Sequence, residues 1–265
     1  MIKILGSYGN RNNKFYTTCI QLSNNTLIDA GNIICGLKDK ASEIDNIFLS
    51  HSHLDHIVDI AFLCDNVISQ REKPIKVYAL KETINSLKKH IFNWEIWPDF
   101  TKLKLEKTNK NVLEFIEIKY NKPIVIDDKL TITPIKANHT VACCGYLVQK
   151  DGNGMLFSGD TYKNDIIWDI LNNSPYIKTL IIEVSFPSKK EILASRSKHF
   201  TPKLLKKELE KLKRDDVKIY ITHIKPKYQK EIEMELDILG LNKENILYGG
   251  EIIDLKSQKI IKKEP

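Results

Sequence analysis

The chain has 265 residues, 42% of them hydrophobic and 28% charged, which is the composition of a soluble globular protein with material for one large domain or two small ones. The N-terminus MIKILGSYGN lacks a signal-peptide core and no stretch approaches a membrane span, so a cytoplasmic protein is expected; five scattered cysteines in apolar contexts, Cys19, Cys35, Cys64, Cys143 and Cys144, argue against a disulfide framework or a thiolate zinc site. The net charge of +7 is spread over dispersed lysines and the tail KIIKKEP, which reads as a solvated surface rather than a nucleic-acid face, although its field favours an anionic substrate.

In chain order, IKIL, FYTTCIQL and NTLIDAG read as consecutive antiparallel strands. Asp29 closes the third, where it could orient a histidine, contact the loop backbone, or simply form the turn before Gly31. The stretch NIFLSHSHLDHIVDIAFLCD follows. Ile47 to Leu49 form a buried strand, and Ile57, Ile60, Ala61 and Cys64 recur at helical spacing, so the histidines between them occupy a strand-to-helix turn. His51 and His53, two apart on an extended segment, can point to one side and grip one cation, while Asp55 and His56, entering the helix, can turn towards a second. Three imidazoles crowded together without a ligand would be costly to desolvate.

Next come the strand KPIKVYAL, a Lys-rich helix KETINSLKKHIF containing a solvated His90, and NWEIWPDFTKL. There Trp94, Trp97 and Phe100 surround Pro98 and read as satellite core or a dimer contact, with a lid or base platform as the other reading. VLEFIEI, PIVI and LTITPI are strand-like, and the last leads to His139 in the turn ANHT. MLFSGDTYK is a strand ending in Gly159, Asp160 and Thr161; a small residue before the Asp lets the backbone come close, and a carboxylate can bridge two cations. TLIIEVSFP is a buried strand with Glu183 at its carboxyl end. His199 stands just ahead of an amphipathic helix PKLLKKELEKLK, capped by Thr201 with Pro202 in the first turn. KIYITHIKP is a strand whose end carries His223, and the helix EIEMELDIL and a strand pair finish the chain. With no repeat, low-complexity segment or linker, a single domain spanning 1–265 is expected.

Six of the seven histidines, all but His90, thus stand at strand ends or in the opening turn. Their order, H-x-H-x-D-H after a strand, then a His, then Gly-Asp, then a His after a late strand, resembles the metallo-β-lactamase superfamily of binuclear metallohydrolases over most of the chain. Within it, H-x-H-L-D-H, IEVSFP, H-F-T-P and THIKP are similar to the class II cyclic-nucleotide phosphodiesterases, whose signature favours Gly or Ser where this chain has Asp59.

The resemblance implies an α+β fold, a four-layer αββα sandwich with metals at one end. It implies one metal on His51, His53 and His139, another on Asp55, His56 and His223, and Asp160 bridging. The cations would be two divalent ions, zinc by ligand type with manganese or iron admissible. The implied reaction is hydrolysis of 3′,5′-cyclic nucleotides to 5′-nucleotides by hydroxide from a shared water, with His199 as proton donor, Glu183 holding its other nitrogen, and Asp55 in the catalytic group. The implied partner is the small cyclic nucleotide rather than a membrane or a nucleic acid, with a homodimer admissible. The competing readings are an RNase Z-like RNA 3′-processing endonuclease, a thioesterase or lactonase of the same fold, and a non-catalytic nucleotide-binding module.

Overall fold

The computed structural model describes residues 1–263; Glu264 and Pro265, the end of the basic tail and of the expected 1–265 domain, lie outside the described residues. The strands are β1 (Ile2–Gly6), β2 (Cys19–Ser23), β3 (Thr26–Ile28), β4 (Asn46–Phe48), β5 (Ile75–Ala79), β6 (Leu113–Glu117), β7 (Ile124–Asp127), β8 (Leu130–Lys136), β9 (Cys144–Lys150), β10 (Asn153–Phe157), β11 (Ile177–Glu183), β12 (Lys218–Thr222), β13 (Glu251–Asp254) and β14 (Lys259–Lys263). The helices are α1 (Ile34–Leu37), α2 (Leu54–Val67), α3 (Lys81–His90), α4 (Asp165–Asn173), α5 (Glu191–Ser197), α6 (Pro202–Leu209) and α7 (Gln229–Ile238).

Two mixed sheets result. The first runs β14-β13-β1-β2-β3-β4-β5-β6, antiparallel up to β3 and parallel from β3 to β6; the second runs β12-β11-β10-β9-β8-β7, with parallel pairing only among β10, β11 and β12. Side chains alternate across each strand, so each sheet has two apolar faces to cover. Ile4, Ile20, Ile28 and Phe48 of the first sheet meet Ile132, Tyr146, Phe157 and Ile181 of the second in a shared inner core. Leu27, Ile47 and Val77 face the other way onto Ile60, Leu63 and Cys64 of α2, and Leu180, Ile182 and Ile221 face outward onto Trp168, Leu205 and Ile232 of α4, α6 and α7. The layers are therefore helix, sheet, sheet and helix, an α+β sandwich as expected from the sequence.

Two bonds tie the second sheet to the His-rich turn of the first, and a third ties it to the end of β1. The Tyr146 hydroxyl donates to the Leu49 carbonyl at 2.6 Å, the Cys144 N–H donates to the Ser50 carbonyl at 3.0 Å, and the His223 N–H donates to the Ser7 carbonyl at 2.6 Å. They bring the ends of β1, β4, β9 and β12 together at one edge of the sandwich.

Some elements differ from the sequence reading. The helix from Pro202 was expected to reach Lys213 but ends at Leu209, where Lys211 and Leu212 turn back through i→i−3 bonds to Glu208 and Leu209. Helices α1 and α4 were not anticipated. In NWEIWPDF, Phe100 is core and Trp97 packs against the same core cluster and against Phe62, while Trp94 is 57% exposed, so the satellite-core reading holds for two of the three aromatics. All five cysteines are free, with Cys35 alone exposed. Among the described residues no helix is long and apolar enough to cross a membrane.

Candidate metal centre

Strand β4 stops at Phe48, and Leu49, Ser50 and His51 continue it into the interior before α2 begins, with His53 in extended conformation at its N-cap. Asp29 fixes this turn from behind. Its backbone adopts φ of 57°, which Asp tolerates better than most residues. Its Oδ1 accepts the Ser50 N–H at 2.7 Å, and its Oδ2 accepts the Ser50 hydroxyl at 2.8 Å and lies 2.7 Å from His56 Nδ1. Asp29 thus forms the turn, holds the loop backbone and orients a histidine all at once. Asp59, the residue that departs from the family signature, accepts the Ile34 N–H at 2.9 Å at the start of α1 and approaches Arg11, so it braces the helices behind the turn.

The fold gathers the remaining residues from far along the chain. His51, His53, His139 and Asp160 form one group able to hold a metal ion, and Asp55, His56 and His223 form another. Within the first, His53 Nδ1 lies 3.2 Å from His139 Nε2. Within the second, His223 Nε2 lies 3.2 Å from His56 Nε2 and 3.3 Å from Asp55 Oδ2. Asp160 Oδ2 stands between the groups, 3.7 and 4.0 Å from the Nε2 atoms of His51 and His139 and 3.4 and 3.3 Å from those of His56 and His223.

These side chains fit a pair of cations. Two nitrogens each about 2.05 Å from a tetrahedral zinc are about 3.3 Å apart, which matches the spacing of the imidazoles. His51 is fully buried, yet its Nε2 has no hydrogen-bond partner in the protein, an arrangement that is costly unless something else takes the lone pair. Protonation points the same way. Burial, with His56 alongside, holds the His51 imidazole well below its ordinary pKa, and burial brings His139 down to about 4. Asp160 is buried, but the His223 and His56 rings keep its carboxyl well below the usual range; Asp55 is likewise lowered by its bond to His223 and by the His56 ring. Neutral imidazoles and ionised carboxylates are the forms that ligate a cation. His56 differs, because Asp160 and Asp29 outweigh its burial and raise its pKa.

Glu183, at the end of β11, carries the second half of the site. Its Oε1 is 2.7 Å from His199 Nδ1 and accepts the Thr161 N–H, and its Oε2 accepts the Ser185 hydroxyl at 3.0 Å and the Phe200 N–H at 3.3 Å. Four donors satisfy a fully buried carboxylate. His199 is buried, which lowers its pKa, but the Glu183 charge and bond overcome that and raise it. A ligating atom of His199 also lies within 4.8 Å of those of Asp160 and His223, so the ring borders the metal groups directly.

The sequence reading brought out every side chain in these groups but passed over three supporting residues. Ser50 Oγ lies 3.0 Å from His51 Nδ1, and Ser185 Oγ lies 2.9 Å from His223 Nδ1. A hydroxyl at a strand end is ordinary, and only its neighbours in space mark it out. The third is Gly9, where an added Cβ would stand 2.7 Å from His223 Nδ1 and 2.8 Å from the His223 carbonyl oxygen. Gly9→Ala is therefore expected to push the His223 ring aside and weaken binding at the Asp55, His56 and His223 group by about 10- to 100-fold, read by chelator competition. Unchanged affinity would mean that the loop around Gly9 can move away freely.

Comparison with known proteins agrees with this geometry. The Beta-lactamase superfamily domain pattern matches residues 24–224, and the chain belongs to that family. A curated relative from Yersinia pestis, named a probable 3′,5′-cyclic-nucleotide phosphodiesterase, is 26% identical over 222 residues, covering 74% of this chain and 62% of that protein. The chain thus spans less than two thirds of that relative's length. Among solved structures, unliganded yeast PDE1 superposes with a TM-score of 0.75 at 19% identity, over 92% of this chain and 96% of the other. The short form of human tRNase Z does so with a TM-score of 0.64 at 16% identity, over 85% and 93%. Both likenesses are of fold.

Proposed function

We propose that the protein is a binuclear phosphodiesterase that hydrolyses 3′,5′-cyclic nucleotides to 5′-nucleotides. The observation that carries this reading is the Glu183 and His199 pair set against the metal groups: a histidine held by a buried carboxylate at Nδ1, with a ring nitrogen within 4.8 Å of the ligating atoms of Asp160 and His223. The name of the Yersinia pestis relative supports the same substrate class.

His51, His53, His139 and Asp160 would hold one divalent cation and Asp55, His56, His223 and the shared Asp160 the other, with zinc favoured by the imidazole and carboxylate donors. Such a pair supplies Lewis acidity and a deprotonated water at neutral pH. The protein contributes the rest. Asp29 and the two serines lock the ring orientations. In a cyclic nucleotide the leaving group is the ribose O3′, a poor leaving group that needs a proton as its bond to phosphorus breaks. His199 Nε2 delivers that proton while Glu183 holds Nδ1 and stabilises the imidazolium. Asp55, the most open of the carboxylates of the site at 28% side-chain exposure, also belongs to the reacting group in this reading.

A substrate panel tests the proposal. Protein loaded with zinc or manganese is expected to convert 3′,5′-cyclic mononucleotides to 5′-nucleotides and to lose that activity on chelation. Cleavage of structured RNA, or of a thioester or lactone, with no turnover of any cyclic nucleotide would overturn it.

A further inference from the structure

We propose that Ser185 is a positioning residue that ties the metal ligand His223 and the proton donor His199 to one carboxylate, Glu183; this rests on the phosphodiesterase reading above. The Ser185 hydroxyl is fully buried and lies 2.9 Å from His223 Nδ1, 3.2 Å from His199 Nδ1, 3.0 Å from Glu183 Oε2 and 3.1 Å from the His223 carbonyl oxygen. It has one proton to give.

A proton inventory decides where that proton goes. His223 turns Nε2 towards Asp55, His56 and Asp160, so as a ligand it carries its proton on Nδ1 and donates it to Ser185 Oγ. The hydroxyl must then donate onward. Its acceptors are the Glu183 carboxylate and a neutral carbonyl at nearly equal distance, and a charged acceptor gives roughly twice the strength. His199 Nδ1 donates to the other oxygen of the same carboxylate at 2.7 Å. The result is a directed chain from His223 through Ser185 to Glu183, with His199 joining from the other side.

The opposite flank of the site repeats this arrangement with different residues. There Asp29 bonds His56 directly at 2.7 Å and reaches His51 through Ser50, whose hydroxyl lies 2.8 Å from the carboxylate and 3.0 Å from the ring. On each flank one carboxylate holds one histidine directly and a second through a serine. On the Glu183 flank the directly held ring is the proton donor, so removing Ser185 should disturb metal affinity and proton delivery together.

The test compares Ser185→Ala and Ser185→Thr, the second of which keeps the hydroxyl. Zinc affinity is measured by competition with a chromophoric chelator. Turnover is measured at saturating zinc on a cyclic nucleotide and on bis(4-nitrophenyl) phosphate, whose leaving group needs no proton. Ser185→Ala is expected to weaken one of two zinc equivalents by about 10- to 100-fold. It should also lower kcat on the cyclic nucleotide more than on the activated ester, and Ser185→Thr should restore both. If Ser185→Ala does not fold, Ser185→Cys, which keeps the shape with a weaker donor, takes its place. Unchanged zinc affinity would overturn the proposal, as would equal losses on both esters or no rescue by Thr. If the unmodified protein turned over neither ester, the phosphodiesterase reading would fail separately, and the zinc affinities would still decide whether Ser185 positions His223.

Discussion

Asp160→Asn is expected to leave the fold intact, to reduce bound zinc from the proposed two equivalents per chain to one or fewer at micromolar concentration, and to lower turnover sharply. The change preserves shape and removes only charge. Asp160 Oδ2 lies within 3.3 to 4.0 Å of four imidazole nitrogens drawn from both metal groups, so its one oxygen faces both. An amide oxygen can still meet one cation, but its NH2 would face lone pairs of the surrounding rings, and the charge that offsets two closely spaced cations is lost. Metal analysis after gel filtration, with circular dichroism to verify folding, reads the outcome. Two tightly held equivalents and near-normal turnover would show that Asp160 is not a bridge.

His199→Ala separates binding from chemistry. Both zinc equivalents should remain, because the ring belongs to neither of the principal ligand groups, while kcat on a cyclic nucleotide falls by about 100- to 10,000-fold. On bis(4-nitrophenyl) phosphate the loss should shrink to a few-fold at most, since 4-nitrophenolate departs unprotonated. The pH profile gives a second reading. Glu183 raises the His199 pKa, and the proposal makes the protonated ring the active form, so the rate on the cyclic substrate is expected to fall as pH rises through that pKa. That limb should vanish in His199→Ala and be absent for the activated ester. Equal losses on both substrates would point to a structural role, and loss of zinc would make His199 a ligand.

Much of this was legible because the chemistry is concentrated where regular structure ends. His51 to His56 announce themselves through spacing between a buried strand and an amphipathic helix. His139, Asp160 and His223 are each alone in the sequence, and only their order and their place after strands connect them to the first cluster. The αββα layering likewise followed from family resemblance, since periodicity gives strands and helices but not which sheet a strand joins. The supporting residues were illegible for a physical reason. Ser50, Ser185 and Gly9 matter through contacts with residues far away or on the facing sheet, and neither a hydroxyl nor a missing side chain has a local pattern. Helix α4 has no counterpart in the sequence reading, although Asn164 caps it in the usual way, accepting the Ile166 N–H. Asp59 departs from the subgroup signature, and in space it is a brace between α2 and α1.

The most direct test is a zinc titration of the metal-free protein with formation of the 5′-nucleotide followed at each step. Two cations acting together predict little product up to one equivalent per chain, a steep rise as the second binds, and a plateau at two. Full activity at one equivalent would contradict the binuclear site, and no 5′-nucleotide at two or more would contradict the phosphodiesterase.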